Sequence, residues 1–225
     1  MEDLTATSQA FDEIVDAELG LDNEGRVVAL RADVIGDIGA YSIYPWTAAL
    51  EPVQVVSFLP GPYRVAHYRG SVRGVATSKA PTGPYRGVGR PVSTFVMERL
   101  MDMAASRLGI DPKDIRLRNM VGAAEIPYKA ASGIVWDNSN FQECLNKACG
   151  AIGYGELRAR QAQARAAGLR EFGGVARIVV RDELASGALV ELCRIPEVTE
   201  TFYAIVQRRR FPNRLLAELL PGRGR

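Results

Sequence analysis

The sequence is short of histidine, of patterned cysteine and of any long apolar run, and each shortage removes a class of function. One histidine, His67, occurs in 225 residues. A Ser-His-Asp triad would have to use it, and nothing around it suggests a nucleophile; a partly buried loop or strand position is expected instead. The three cysteines are Cys144, Cys149 and Cys193. An odd count without a C-x-x-C pair argues against a disulfide frame, a zinc site or an iron–sulfur site, and for free thiols in a reducing compartment. No stretch approaches the roughly 18 apolar residues of a membrane span. The opening M-E-D-L-T-A-T-S has no apolar core of a signal peptide, so a cytoplasmic location is expected. A net charge of +2 creates no bulk field toward nucleic acid or membrane. What remains, 47% hydrophobic and 24% charged residues, is the balance of a soluble globular chain with room for one large domain or two small ones.

The most informative stretch runs over residues 80–121. A glycine-rich loop, A-P-T-G-P-Y-R-G-V-G-R-P, feeds directly into an amphipathic segment. Gly83, Gly87 and Gly89 permit tight turns or close approach of a ligand to the backbone. Pro91 suits a first helical turn, where its missing N–H is no loss. Val92, Phe95, Val96, Leu100, Met103 and Ala104 then recur at helical spacing and form the expected buried stripe. Arg86 and Arg90 flank the glycines, so loop amides, a helix N-terminus and guanidinium groups converge as a candidate anion cradle. The loop is not a Walker loop, since no Gly-Lys-Ser/Thr follows, nor a dinucleotide fingerprint, since proline and arginine stand where the strand–helix turn must be tight.

Elsewhere the pattern is mixed. Residues 11–19 and 26–34 flank a D-N-E-G turn and read as a β-hairpin. The I-G-D-I-G-A-Y segment ends the second arm, with a glycine bulge expected there. Tyr44-Pro45-Trp46 reads as a packing plug, residues 50–59 as apolar material around Pro52, and Pro60-Gly61-Pro62 as a hard turn. Residues 63–76 alternate as a strand. Gly109 is placed to end the long helix, and Asp111-Pro112 to start a short one over 112–119, with Arg116 and Arg118 on a solvated face. A short strand is expected at 133–136. Asn140 with Glu143 opens a helix over 141–152 whose apolar stripe is Cys144, Leu145, Ala148, Cys149 and Ile152. A further helix spans 156–167, closed by Gly168.

The literal string says more than the pattern. P-Y-R-G-V-G-R-P, then F-V-M-E-R-L-M-D-M-A-A-S-R-L-G-I-D-P, then R-L-R-N-M, resembles the large, molybdopterin-binding subunit of the xanthine dehydrogenase / aldehyde oxidase / carbon monoxide dehydrogenase family. The G-A-Y and K-x-A-S-G-x-x-W-D segments follow the same family. The resemblance implies an α+β fold over residues 1–175: a partial molybdopterin-binding domain with an N-terminal β-hairpin, short strands and several helices. It places Tyr85, Arg86 and Gly87 beside the molybdenum cofactor. It implies iron–sulfur and flavin subunits as partners, and a small-molecule substrate, an aldehyde or aromatic heterocycle, hydroxylated with oxygen from water. The family's carbon monoxide dehydrogenases carry a copper-serving cysteine where Gly87 stands, so glycine here favours the aldehyde- or heterocycle-oxidising relatives. The family's catalytic base is a glutamate in a G-x-G-E segment. Gly153-Tyr154-Gly155-Glu156 matches only its letters, at the head of an expected surface helix. No catalytic or metal-ligating residue is therefore assigned, and the chain is expected to be inactive alone.

Past Gly173-Gly174 the resemblance changes. Residues 176–225 resemble the C-terminal end of the effector-binding domain of a LysR-type transcriptional regulator, a small α/β tail: helix 182–186, strands 188–192 and 201–207, helix 213–220. Arg208-Arg209-Arg210 reads as a solvated turn, because those regulators read DNA through an N-terminal helix-turn-helix. The opening E-D-L-T-A-T-S-Q-A-F-D-E-I resembles an interior strand of the molybdenum family. The expectation is an internal hydroxylase fragment followed by a tail; the alternatives are an effector-binding remnant of a regulator or a fusion product without function.

Overall fold

The computed structural model describes residues 7–10, 12–43, 47–167, 170–171 and 189–190. The expected hairpin is present. β1 (Glu13–Leu21) pairs antiparallel with β2 (Val27–Gly39), from Glu13 opposite Gly36 to Leu21 opposite Val27. The turn holds because the Asp22 carboxylate accepts the N–H groups of Glu24 and Arg26 at 2.9 and 2.8 Å, while Gly25 takes φ +79°. β2 is central. Its inward residues Val27, Leu30, Ala32 and Val34 are buried, and on its other edge it pairs in parallel with β3 (His67–Ala76). A parallel pair needs a crossover, supplied here by helix α1 (Leu50–Phe58). α1 stands where the sequence suggested only apolar material around a proline. Glu51 and Pro52 both lie in its first turn, where an acid suits the helix dipole and a proline loses no hydrogen bond. His67 opens β3 and is exposed rather than partly buried.

Helix α2 (Arg90–Leu108) lies against α1, and its end is capped by Gly109 at φ +65°. Its buried row is Ser93, Met97, Met101, Ala104 and Ala105. The expected stripe is corrected: Val92, Val96 and Leu100 are only flanking, and Phe95 (71% exposed) and Met103 (41%) face outward. Two adjacent rows of this helix are apolar, and periodicity alone does not choose between them. The row with serine and alanines admits close approach of the neighbouring elements, and its methionines fill the space between them. Helix α3 (Pro112–Asn119) starts as expected, the Asp111 carboxylate accepting the Lys113 N–H at 2.8 Å.

The R-L-R-N-M string proves structural. Asn119, 3% exposed, accepts the Val27 N–H and donates to the carbonyls of Gly25 and Ile115, each at 2.8 Å, tying α3 to the hairpin. Arg116 was expected on a solvated face; instead its side chain is 14% exposed and bridges Glu98 at 2.6 Å and Asp102 at 2.8 Å on α2. Glu98 also accepts the hydroxyl of buried Tyr63 at 2.7 Å. Tyr63, Leu30, Leu59, Met97, Met101 and Ile115 form the centre of the core. β4 (Tyr128–Lys129) and β5 (Val135–Trp136) make a small antiparallel pair, with Trp136 edge-on to Phe141. Phe141 opens helix α4 (Phe141–Ala151), whose N-cap is Asn140. Of its expected stripe, Cys149 is buried and Leu145 partly so, while Cys144 and Ala148 are exposed.

The chain divides into two units, Met1–Ala151 and Ile152–Arg225. In the second, α5 (Tyr154–Ala166) follows Gly153, and β6 (Arg170–Glu171) pairs in parallel with β7 (Leu189–Val190). The Tyr44-Pro45-Trp46 plug, Gly168, Cys193, the expected boundary near residue 175 and the tail elements other than Leu189–Val190 lie outside the described residues. Among the described residues no helix is long and apolar enough to cross a membrane.

Candidate functional site

The glycine loop follows β3 in the chain and packs against the end of β2. The expected bulge is there: pairing with β3 shifts register between Asp37 and Gly39, and Gly39 takes φ +68°. A Cβ on Gly39 would lie 2.4 Å from the Ala80 carbonyl oxygen, so the chain entering the loop packs directly on this backbone. Asp37 holds the crossing together. Its carboxylate accepts the Gly39 N–H at 2.8 Å, the Thr77 hydroxyl at 2.7 Å and the Lys79 ammonium at 2.8 Å. Lys79, then the Gly39 N–H and Thr77, hold this carboxyl down at about 2. Thr82 donates its hydroxyl to the Asp37 carbonyl at 3.0 Å. Gln9 hydrogen-bonds to Pro81 and Gly83 and brings Ser8 beside the loop.

From Tyr85 to Arg90 the backbone makes two overlapping turns, Val88 N–H to Tyr85 O at 2.7 Å and Arg90 N–H to Gly87 O at 3.1 Å. Gly87 takes φ +95° and Val88 φ +54°. A β-branched residue in the left-handed region is strained by on the order of 1–3 kcal/mol, and such strain concentrates where a loop presents itself to a ligand. Among the described residues the N–H groups of Arg86, Gly87 and Gly89 find no acceptor. Tyr85 and Arg86 are exposed, and no described residue pairs with Arg86. Arg90 is differently placed: it donates to Gln54 at 3.1 Å and lies 4.2 Å from the centre of the Phe58 ring, so it fastens the loop rather than facing a ligand. Ser8, Ile43, Leu50, Gly83, Pro84, Tyr85, Arg86 and Val88 line an open cleft of about 470 Å³. Two of the three expected cofactor-binding residues thus share the cleft, and the third shapes the turn between them and α2.

The residues that sequence reasoning missed lie behind the loop. Glu51, 2% exposed, accepts the Tyr85 N–H at 2.9 Å through Oε1; its Oε2 has no partner among the described residues. Among the described residues neither carboxyl oxygen of Glu13 has a partner either, and both are shielded from solvent. Burial, then the neighbouring Glu51, push the Glu13 carboxyl up to about 7. Burial also raises Glu51, against the opposing Tyr85 N–H. The signal was a lone acid in the apolar run L-E-P-V-Q-V-V-S-F. Glu156, in the segment resembling the family's base motif, is exposed in the first turn of α5.

The sequence matches the family described as "Molybdopterin cofactor-binding domain" over residues 1–120, which contain the hairpin, the cleft and the whole of α2 and α3. The chain belongs to this family. Its fold agrees with that assignment: the quinoline 2-oxidoreductase of Pseudomonas putida 86 is 33% identical, with a TM-score of 0.70 over 74% of this chain and 21% of that one. The gamma subunit of the 6-hydroxypseudooxynicotine dehydrogenase complex of Paenarthrobacter nicotinovorans is 31% identical over 88% of this chain and 26% of its own length. The carbon monoxide dehydrogenase large chain of Hydrogenophaga pseudoflava is 31% identical over 74% and 21% respectively. The chain therefore spans about a quarter, or less, of these relatives.

The donor set fits the family's cofactor. N–H groups and a guanidinium without partners among the described residues, on a glycine turn beside a helix N-terminus, suit a ligand rich in anionic and oxo oxygens. The buried carboxyls sit behind the loop and do not line the cleft.

Proposed function

We propose that this chain forms one wall of the molybdopterin site in the large subunit of a molybdenum hydroxylase, with Tyr85, Arg86 and Gly87 as its cofactor-binding residues. The observation that carries this reading is Arg86, unpaired among the described residues, on a strained glycine loop, opening into a 470 Å³ cleft within the family-matched residues. The bound cofactor would supply the redox chemistry, taking an electron pair from a substrate carbon that receives oxygen from water. This chain's share is orientation and electrostatics: loop amides and Arg86 hold anionic oxygens, and the apolar side chains Ile43, Leu50 and Val88 limit water in the cleft. The substrate class we favour is an aldehyde or an aromatic nitrogen heterocycle. Similarity to the heterocycle- and carbon-monoxide-oxidising relatives is nearly equal, so the choice rests on glycine at position 87. Iron–sulfur and flavin subunits are the proposed electron acceptors. Residues 176–225 are proposed to be a tail of separate, regulator-like origin with no part in this site; cleavage between residues 168 and 182 before any in α2, on limited proteolysis, would support that.

The test is titration of the purified chain with molybdopterin, followed calorimetrically. Wild type should bind, and Arg86→Ala should weaken binding at least tenfold while shifting stability by about 0.5 kcal/mol or less, as for an exposed side chain. Equal binding by the variant, or its unfolding, would remove Arg86 from the site. The loaded chain should not oxidise aldehydes or quinolines above background, because Glu156, in the segment resembling the family's base motif, stands exposed in the first turn of α5.

A further inference from the structure

Four residues on one face of α1 grip the loop. Glu51, Gln54, Val55 and Phe58 stand at the three- and four-residue steps that align on a helix. The Glu51 carboxyl takes the Tyr85 N–H at 2.9 Å. Gln54 takes the Arg90 guanidinium at 3.1 Å, and the Phe58 ring lies under the same guanidinium. Gly89 sits so close that a Cβ there would be 2.3 Å from the Glu51 carbonyl oxygen and 2.5 Å from the Val55 nitrogen. The C-terminal end of the loop is thus held by packing and by Arg90. Its N-terminal end, where Tyr85 and Arg86 meet the cleft, has Glu51 as its hold from α1. That hold is a nearly fully buried side chain reaching a backbone amide, and it leaves its second oxygen unpartnered.

We propose that Glu51 is a positioning residue for the ligand loop: its buried carboxyl fixes the Tyr85 amide and so sets the direction in which Arg86 and the free amides of Arg86 and Gly87 face the cleft. It acts through the loop and does not touch the ligand. What the bond requires is an acceptor oxygen, not a charge. Glu13 faces the same buried space, and its carboxyl, without a partner among the described residues, beside that of Glu51 is accommodated only if at least one of the two carries a proton. A neutral amide at position 51 retains the carbonyl oxygen that accepts from Tyr85 and should serve as well. That the positioned loop serves a pterin cofactor rests on the function proposed above; the pinning itself rests on the geometry alone.

The experiment measures amide hydrogen exchange by NMR on the full chain, as wild type, Glu51→Ala and Glu51→Gln, with molybdopterin titrated into each. In wild type the Tyr85 amide should be protected at least tenfold relative to the amides of Arg86 and Gly87. Glu51→Ala should abolish that protection while the core amides of Leu30 and Met101 exchange as before, and should weaken molybdopterin binding about tenfold. Glu51→Gln should restore both. A merely structural role would loosen Leu30 and Met101 together with Tyr85. An unprotected Tyr85 amide in wild type overturns the proposal without any variant, so a failure of Glu51→Ala to fold does not shelter it. Glu51→Gln behaving as Glu51→Ala would also overturn it. Absence of molybdopterin binding in wild type, with Tyr85 protected and released as described, would instead remove the proposed function and leave the pinning standing.

Discussion

Glu13 makes the stability of the first unit depend on pH in an unusual direction. In the unfolded chain its carboxyl titrates near 4.5; in the folded protein burial, with Glu51 adding to it, raises the value to about 7. Below about pH 4.5 both states hold the proton and the folded state keeps its full stability. Between the two values the folded protein retains a proton that the unfolded chain has released, so stability falls as pH rises, and above about pH 7 the loss is complete. A rise of about 2.5 units corresponds to about 3 kcal/mol at 1.36 kcal/mol per unit. Because Glu13 is only partly buried as a residue, solvent relaxation will reduce this to roughly 1–3 kcal/mol. Asp37, held at about 2, acts in the opposite sense, its stabilisation being lost only as pH falls from its ordinary value of 3.8, outside this window. Urea unfolding at pH 5, 6, 7 and 8 should therefore show wild type losing roughly 1–3 kcal/mol across the series. Glu13→Gln, which cannot titrate, should lose at least half of that slope, the remainder belonging to Glu51. Wild-type stability that is flat or rising from pH 5 to 8, or an unchanged slope in the variant, would refute the placement of Glu13 among buried, unpartnered groups.

Two further outcomes test the scaffold. Gly89→Ala forces a Cβ to within 2.3 Å of the α1 backbone, so loop or helix must move; a loss of about 1–3 kcal/mol in denaturant unfolding is expected, with weaker ligand binding following the shift. Arg116→Ala strips Glu98 and Asp102 of their shared cation and leaves the Tyr63 hydroxyl facing a bare carboxylate; about 2–3 kcal/mol should be lost, reduced from the fully buried case because Asp102 is 46% exposed, and thermal unfolding at two salt concentrations measures it.

The hairpin, the helix caps and the loop were legible because each is local. D-N-E-G, Asp111-Pro112 and Asn140 with Glu143 carry their partners within a few residues, and the structure forms each of them. The parts that were not legible depend on contacts between distant residues. Nothing near Arg116 in sequence says that Glu98 and Asp102 lie within 3 Å of it, and the short-range pattern made it a surface arginine. α2 offered two apolar rows, and the choice between them was made by Ser93 and the paired alanines, whose small side chains periodicity counts as neutral or apolar rather than as room for a neighbour. α1 was hidden by Pro52, which breaks a helix interior but not a first turn. The candidate site divides in the same way. Tyr85, Arg86 and Gly87 could be named from a literal string, whereas Glu51 and Glu13 become part of the site only when β1, α1 and the loop meet.

That meeting gives the buried acids an electrostatic sense. An anion cradle depends on a positive field at the loop, from Arg86 and from the N-terminus of α2, whose first amides point toward Gly87 and Gly89. A charged carboxylate joined to the Tyr85 amide would place a full negative charge one residue from Arg86 and oppose any anion entering the cleft. Solvent-exposed glutamates could be screened, but these are shut away from water, where screening fails and the repulsion would persist. Burial resolves the conflict by raising both carboxyls, so that near neutral pH the space behind the loop holds less negative charge than its two acids would suggest. Glu51 keeps the geometric use of its oxygen, while burial shifts its carboxyl, like that of Glu13, toward the protonated form. A glutamine would do the same at Glu51, which is why the amide substitution, rather than the truncation, separates geometry from charge at this position.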